Sequence, residues 1–386
     1  MKDFIFKDLS SNIEEELKNV GYDKSYIFEG AKKFYYKTLK IFDLTLPQAN
    51  ILKQTALSVG ADCATHRETI TGKTDKTDCV LGGSISQLKK ISAKLKFQPF
   101  NLKILGEQIE NNILLNLKPI EIKNKMFDFS RPYIVGILNL GNSFSDGYTN
   151  FEDAKSHLKK LINDGADIID IGAESTKPGA SAVDDNEQLK KLIPIVDFAK
   201  TQNLPISIDT RSAKVAKICL EHGADIINDV SGFDYDLKMV DVISEFNCPV
   251  IVQHTSATPD IMQQKTEYNN LVDDIFKSLY KKIELAKSHG VNGDKIILDV
   301  GIGFGKTREQ CLSLLRRIEE FKTLNCPLMV GISRKSFLNL QTEDNFTKDI
   351  FTLALNSNLI DKGVNFLRVH NVELHKKLLG IKVLEH

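Results

Sequence analysis

The sequence lacks several features that would place it in a specialised class of protein. It has no tryptophan, and its 51 lysine and arginine residues are balanced by 51 aspartate and glutamate residues. A net charge of zero gives no overall attraction to nucleic acid or to an anionic membrane. No apolar run approaches the roughly 18 residues that a membrane-spanning helix needs. With 42% apolar and 26% charged residues, the composition is that of an ordinary globular protein.

The cysteines and the first residues exclude further classes. No cysteine belongs to a CxxC or zinc-finger spacing, which argues against a zinc site and favours reduced thiols. The cysteines are Cys63, Cys79, Cys219, Cys248, Cys311 and Cys326. Charged residues follow Met1 closely and interrupt any apolar leader, so we expect no signal peptide. We therefore predict a cytoplasmic protein.

Residues 1–125 are predicted to form a separate, mostly helical α+β domain. Pro47 is expected to open a helix that stops at Gly60. Ser84 and Gln87 have the spacing of a capping box at the start of another helix. No catalytic constellation is present, which favours a structural or oligomerisation role. A second functional module is the alternative.

Residues 126–386 show a different sequence pattern, in which short apolar runs alternate with stretches of helical periodicity. Continuous apolar runs are typical of parallel strands that are covered on both faces. They are 133–140, 167–172, 205–209, 225–229, 249–253, 295–299, 327–331 and 365–370. Such a repeat predicts an α/β fold, a (β/α)8 TIM barrel. A doubly wound open sheet is the alternative, but no GxGxxG follows the first run.

Polar residues follow the apolar runs, at the end of a barrel where active sites lie. They are Asn139, Glu174, Asp209, Asn228, Asp229, Gln253, His254, Asp299, Ser333, Arg334, Lys335, Ser336, Arg368 and His370. A single aspartate in such a place is as readily a helix N-cap. Polar groups after all eight runs are harder to explain as caps, and they indicate a binding site.

Two groups of these residues suggest different ligands. Asp209, Asp299, Asn228 and Lys335 suit a small polar heterocycle, because a buried carboxylate can accept two hydrogen bonds from an amidine-like ring edge. A second group suits a phosphate, with or without Mg2+, because the first and eighth strands become neighbours in a closed barrel. Its members are Asn139, Arg368 and His370. The alternatives are a salt bridge from the arginine to a strand-end aspartate, and a core histidine.

Three loops have compositions that suit substrate contacts. Residues 142–147 and 174–179 mix small, polar and turn-forming residues, as a substrate-covering loop would, although ordinary surface turns look similar. Residues 301–306 contain a glycine-rich stretch that weakly suggests a phosphate cradle but lacks the P-loop spacing.

These motifs, in this order, resemble those of dihydropteroate synthase. The resemblance covers about residues 131–380 and leaves residues 1–125 unexplained. The stretches that carry it are Gly136–Asn139, Ser143–Gly147, Gly172–Gly179, Ile208–Thr210, Ile227–Asp229, Leu298–Lys306, Gly331–Ser336 and Arg368–His370.

The resemblance implies a reaction in which p-aminobenzoate displaces pyrophosphate from 6-hydroxymethyl-7,8-dihydropterin pyrophosphate and yields 7,8-dihydropteroate, a folate precursor. It also implies Mg2+, a homodimer and an enzyme that sulfonamides target. The implied pterin-binding residues are Asp209, Asn228, Asp299 and Lys335. The implied pyrophosphate residues are Arg368 and His370, with Asn139 as metal ligand. The implied p-aminobenzoate residues are Thr176, Lys177, Pro178, Phe304, Lys335 and Ser336, and the implied loop-closing residues are Phe144 and Asp146. Of these, the expected catalytic residues are Asp209, Asp299, Lys335, Arg368 and Asp146.

The sequence departs from the family pattern in three loops, in one of which Val300 and Ile302 replace the usual proline and phenylalanine. The first loop is shorter than the usual Asn-Val-Thr-Pro-Asp-Ser-Phe and lacks its proline. Lys177 stands where arginine is usual, and lysine cannot form a bidentate contact. Two rivals therefore stay open: a pterin-binding methyltransferase that uses methyltetrahydrofolate, and a degenerate pterin-binding protein without activity.

Overall fold

The computed structural model describes residues 7, 9, 12–114, 116–142, 144, 146–177, 179–338 and 344–382. The chain forms two compact units, residues 1–115 and residues 116–386. The sequence predicts a boundary at residue 125, whereas the segment 116–125 falls in the second unit. No helix within the described ranges is long and apolar enough to cross a membrane.

The first unit is an α+β fold. Its sheet is antiparallel with the order β1-β3-β2 and consists of Tyr36–Thr45 (β1), Asp62–Ala64 (β2) and Lys76–Ser84 (β3). Its helices are Ile13–Asn19 (α1), Ile27–Ala31 (α2), Leu46–Leu57 (α3), Ile85–Leu95 (α4) and Leu102–Ile113 (α5). The predicted capping box of Ser84 and Gln87 starts α4.

One strand of this unit was not anticipated from the sequence. β1 pairs with β3, and a Cβ atom at Gly82 of β3 would lie 2.5 Å from the hydroxyl of Tyr36 in β1. The glycine therefore lets a tyrosine lie across the neighbouring strand. Even with this strand, the first unit is mostly helical, as expected for an α+β domain.

The second unit is a closed barrel of eight parallel strands, which confirms the predicted TIM barrel. The barrel strands are Tyr133–Asn139 (β6), Ile168–Gly172 (β7), Ile206–Asp209 (β8), Ile226–Asp229 (β9), Val250–Gln253 (β10), Ile296–Asp299 (β11), Leu328–Val330 (β12) and Phe366–Val369 (β13). The surrounding helices are Phe151–Asn163 (α6), Asp185–Ala199 (α7), Ala213–His222 (α8), Lys238–Phe246 (α9), Leu271–Ser288 (α10), Arg308–Arg316 (α11), Asn345–Asp361 (α12) and Val372–Lys382 (α13). Nearly every barrel-strand residue is buried, as parallel strands covered on both faces require.

A hairpin covers the amino-terminal end of the barrel. It consists of Ile120–Ile122 (β4) and Lys125–Phe127 (β5). The ring of Phe127 lies 4.7 Å from that of Tyr133 and 6.0 Å from that of Phe366, centroid to centroid. These residues belong to an apolar cluster that fills the amino-terminal end of the barrel. We therefore look for the active site at the carboxyl ends of the strands.

Candidate active site

The carboxyl ends of the barrel strands bring the predicted residues together around one partly buried arginine. Arg368 of β13 donates from Nε to Asp170 at 2.6 Å and from Nη2 to Asp209 at 2.7 Å. Asp170 also accepts hydrogen bonds from Ser207 at 2.6 Å and from Asn228 at 3.1 Å. The salt bridge to a strand-end aspartate, which the sequence left open for Arg368, is therefore present.

Two oxygen atoms beside this arginine have no protein partner. They are Oδ1 of Asp209 and Oδ1 of Asn228, both buried and without a hydrogen bond to any residue that the structure describes. A buried acceptor that is left unpaired costs about 1–3 kcal/mol, so such atoms need an explanation. Two acceptors side by side form a recognition surface for a ligand that carries N–H groups.

Asp299 and Lys335 lie on the neighbouring side of the strand ends. Oδ1 of Asp299 accepts the backbone N–H of Gly301 at 2.7 Å. Nζ of Lys335 donates to the carbonyl of Ile302 at 2.5 Å and lies 4.6 Å from the ring centre of Phe304. The lysine is thus held between the predicted pterin residues and a predicted p-aminobenzoate residue.

Burial shifts the pKa values of these groups toward their neutral forms. It raises the pKa of Asp209 to about 7, although the charge of Arg368 opposes the shift. It also raises the pKa of Asp299 and lowers the pKa of Lys335 to about 8. Burial would likewise lower the pKa of Arg368, but Asp170 and Asp209 together raise it, so the arginine stays charged.

A second group of residues lies where β13 pairs with β6. His370 and Asn139 both contact Asp146 of the first loop, at 3.0 Å from His370 Nε2 and 3.1 Å from Asn139 Nδ2. Nδ1 of His370 lies 2.8 Å from the hydroxyl of Ser333. The hydrogen bond from His370 lowers the pKa of Asp146, and burial lowers the pKa of His370. An anionic side chain therefore occupies the position expected to bind phosphate.

The predicted p-aminobenzoate residues are only partly assembled. Thr176 and Phe304 line one cavity of about 290 Å³, together with Arg211 and Tyr235. Phe144 is half-buried, whereas Lys177 and Ser336 are exposed and do not line this cavity. Pro178, Ser143 and Ser145 lie outside the described residues.

Two loops near the site differ from simple anion-binding elements. Ser336 begins a 3-10 turn of only three residues, Ser336–Leu338, which is too short to supply a helix dipole. Lys306, in the glycine-rich stretch, is buried and donates to the carbonyl of Phe304 at 2.9 Å, while its Nζ lies 3.0 Å from Nδ1 of His254. The stretch is therefore filled by its own lysine and is not an open phosphate cradle.

Asp170 is the central residue that sequence reasoning missed. It lies in the middle of β7, between isoleucines, and is fully buried. A carboxylate inside an apolar strand needs a partner, and this signal was available in the sequence. The partner, however, comes from a residue 198 positions away and is revealed only by the closed barrel.

Known proteins with similar sequences and folds match the barrel. A family model described as pterin binding enzyme matches residues 135–370. A dihydropteroate synthase from Clostridium beijerinckii is 40% identical over 262 residues, which cover 66% of this chain and 94% of the relative. A crystal structure of Yersinia pestis dihydropteroate synthase with a sulfonamide drug superposes with a TM-score of 0.66 at 31% identity and covers 69% of this chain and 98% of the other.

One relative extends the similarity beyond the barrel. A bifunctional dihydropteroate synthase/dihydropteroate reductase from Helicobacter pylori is 33% identical over 349 residues, covering 89% of this chain and 88% of the relative. Residues 116–386 alone are too few for that coverage, so the alignment reaches into the first unit. The chain belongs to the pterin-binding enzyme family, and within it to the dihydropteroate synthases, as the resemblance of its strand-end motifs predicted.

Proposed function

We propose that the strand-end residues described above carry out the dihydropteroate synthase reaction. In that reaction p-aminobenzoate displaces pyrophosphate from 6-hydroxymethyl-7,8-dihydropterin pyrophosphate, and 7,8-dihydropteroate is formed. The observation that carries the proposal is the pair of unpaired buried oxygens, on Asp209 and Asn228, beside the clamped Arg368. Dihydropterin has N–H groups along one ring edge, which would satisfy both acceptors.

The pterin ring is held by four residues in this proposal. Asp209 and Asn228 accept hydrogen bonds from the ring edge, and Lys335 donates to a ring acceptor. Asp299, which Gly301 already fixes at 2.7 Å, supplies the second carboxylate. Because the aromatic amine is a weak nucleophile, departure of pyrophosphate leads the reaction. The two carboxylates then stabilise positive charge that develops on the ring and its methylene group.

In this proposal, Arg368 and His370 bind the pyrophosphate group. Asp146 now contacts His370 and Asn139, so it must leave before an anion can take its place, because like charges repel. Movement of Asp146 carries the first loop with it. We therefore assign Asp146 and Phe144 to a loop that rearranges over the site when the substrate binds.

Mg2+ fits this site as an ion that accompanies the pyrophosphate. No cluster of three or more histidine, cysteine, aspartate or glutamate side chains suited to a metal occurs among the described residues. Asn139 donates from Nδ2 to Asp146, which leaves its carbonyl oxygen as the ligand. Mg2+ typically takes one or two protein ligands plus phosphate oxygens and water, so a single amide is enough. When bound, it would neutralise charge on the departing pyrophosphate.

We place the arylamine against Thr176 and Phe304, which line the 290 Å³ cavity. Pro178, Lys177 and Ser336 complete this site by family likeness. The sulfonamide in the Yersinia pestis structure leads us to propose that this chain binds sulfonamides at the same place. A homodimer and a cytoplasmic location remain proposals as well, the second supported by six free thiols.

The test is an assay of pyrophosphate release by the full chain with both substrates, with and without Mg2+, alongside mass spectrometry of the product. We expect release only when both substrates are present. Pterin binding without release would contradict the proposal and favour a degenerate binding protein. Methyl transfer from methyltetrahydrofolate would favour the methyltransferase.

A second candidate activity involves the first unit, because the alignment with the Helicobacter pylori bifunctional enzyme extends into it. A reductase would add a hydride and a proton across the remaining C=N bond of dihydropteroate. The measurement is a 2 Da mass increase of dihydropteroate that is incubated with the full chain and a reduced nicotinamide. An unchanged mass would leave the first unit with a structural role.

A further inference from the structure

The loop that follows β7 is closed by a buried ion pair that plays no part in the proposed chemistry. Glu174 begins this loop, and Arg211 follows β8. Arg211 donates from Nε to one carboxylate oxygen of Glu174 at 3.0 Å and from Nη2 to the other at 2.9 Å. Both residues are buried, with 6% and 4% of their surfaces exposed. The geometry is the bidentate fork that only arginine provides.

The same carboxylate also fixes the far end of the loop. Oε1 of Glu174 accepts the backbone N–H of Val183 at 3.0 Å. Between them, the N–H of Gly179 donates to the carbonyl of Pro259 at 2.9 Å. The loop is therefore held at its start, middle and end, and the proposed arylamine residue Thr176 lies inside the closed segment.

Arg211 connects this loop to a further one. Its guanidinium lies 4.1 Å from the ring centre of Tyr235, which follows β9. Arg211, Tyr235, Thr176 and Phe304 line the same cavity. A displaced guanidinium would thus change the wall on which the arylamine is proposed to lie, while the pterin residues Asp209 and Asn228 are bonded to Arg368 and Asp170 instead.

We infer that Arg211 is a positioning residue that sets the affinity for the arylamine substrate by holding the loop 174–183 closed through Glu174. The inference rests on the proposed function, because it assumes that Thr176 and Phe304 contact p-aminobenzoate. It assigns no direct contact with substrate to Arg211.

The test compares Arg211→Lys with the wild type in steady-state kinetics of the full chain. Lysine keeps the charge but loses the bidentate fork. We expect KM for p-aminobenzoate to rise about tenfold, equivalent to about 1.4 kcal/mol, with KM for the pterin substrate changed less than about twofold. Hydrogen exchange of the Val183 amide should also become faster. Arg131→Lys is the matched control, since Arg131 makes a similar fork with Asp167, at 3.0 and 2.7 Å, at the other end of the barrel.

The outcomes separate this inference from the proposed function. No pyrophosphate release by the wild type would overturn the proposed function. An active wild type together with an unchanged KM for p-aminobenzoate in Arg211→Lys would overturn the inference alone, as would an equal rise in both KM values. If Arg211→Lys does not fold, Glu174→Gln removes the charge of the ion pair but keeps an acceptor for the N–H of Val183. The same split in KM is then expected, and equal KM changes for the two substrates would count against the inference.

Discussion

Asp170 accepts a 2.6 Å hydrogen bond from Nε of Arg368, and neither residue lies near the other in the sequence. Because the carboxylate is fully buried, it pairs with the arginine and has no contact with solvent. Arg368 is consequently presented to the site in one orientation. The pair determines where the proposed pyrophosphate contact lies.

Asp170→Asn should therefore impair both stability and catalysis. The change removes one of the two carboxylates that pair with Arg368 and leaves Asp209 as the other, so we expect a loss of about 1–3 kcal/mol in the free energy of unfolding. Urea unfolding and pyrophosphate release measure the two effects. Asp167→Asn is the control, since Asp167 pairs with Arg131 at 2.7 Å in a more exposed position. Equal losses of activity in both variants would contradict a specific role for Asp170.

Asp146→Asn tests whether Asp146 competes with the anion. The change removes a negative charge that now lies 3.0 Å from His370 Nε2. We expect pyrophosphate to bind about tenfold more tightly to the unliganded variant, equivalent to about 1.4 kcal/mol. Turnover should fall, because the loop loses the group that we assign to closure.

Isothermal titration of pyrophosphate measures the affinity. Glu121→Gln provides a control for the change in net charge, since Glu121 is exposed on the hairpin at the opposite end of the barrel. Unchanged affinity in Asp146→Asn would show that the carboxylate does not occupy the anion position.

The barrel strands could be predicted because each is a local run of apolar residues. All eight observed strands fall within the eight predicted runs. The site residues Asp209, Asn228 and Asp299 could be predicted for the same reason, since the end of a run places them at the reactive end of the barrel.

What could not be predicted depends on pairing between distant strands. The role of Asp170 as a hydrogen-bond acceptor becomes clear only in the closed barrel, where Ser207 of β8 and Arg368 of β13 donate to it. Arg211 follows Thr210 and looks like an ordinary loop residue until Glu174 meets it. The strand β1 mixes exposed and buried residues, and its partner β3 begins more than thirty positions after it ends. Local patterns carry no information about such contacts.

The pKa shifts predict that pterin binding depends on pH on both sides of neutrality. Burial raises the pKa of Asp209 to about 7, so this carboxylate takes up a proton and loses an acceptor as the pH falls below that value. Burial lowers the pKa of Lys335 to about 8, so the lysine loses its charge above that value. Affinity for the pterin substrate should be greatest between the two.

Titrations of the pterin substrate across this pH range measure the effect. Asp209→Asn should bind more weakly and reduce the acidic limb, because asparagine does not titrate and Asp299 is left as the titrating carboxylate. Lys335→Arg should retain the acidic limb and lose the basic one, since arginine stays charged. A basic limb that persists in Lys335→Arg would assign it to another group.

Gly301→Ala tests how tightly the loop after β11 holds Asp299. Gly301 has a φ of +68°, and a Cβ atom there would lie 1.9 Å from the backbone carbonyl oxygen of His254. A backbone atom cannot move aside as a flexible side chain can, so the loop must shift and weaken the bond from Gly301 to Asp299. We expect a loss of about 3 kcal/mol in the free energy of unfolding.

Gly179→Ala is the control that separates backbone strain from steric collision, because Gly179 has a φ of +81° and a Cβ atom added there would meet no atom within 4 Å. That variant should lose only about 1 kcal/mol, the cost of the left-handed backbone. Equal losses in the two variants, measured by urea unfolding, would mean that the contact with His254 relaxes without disturbing the site.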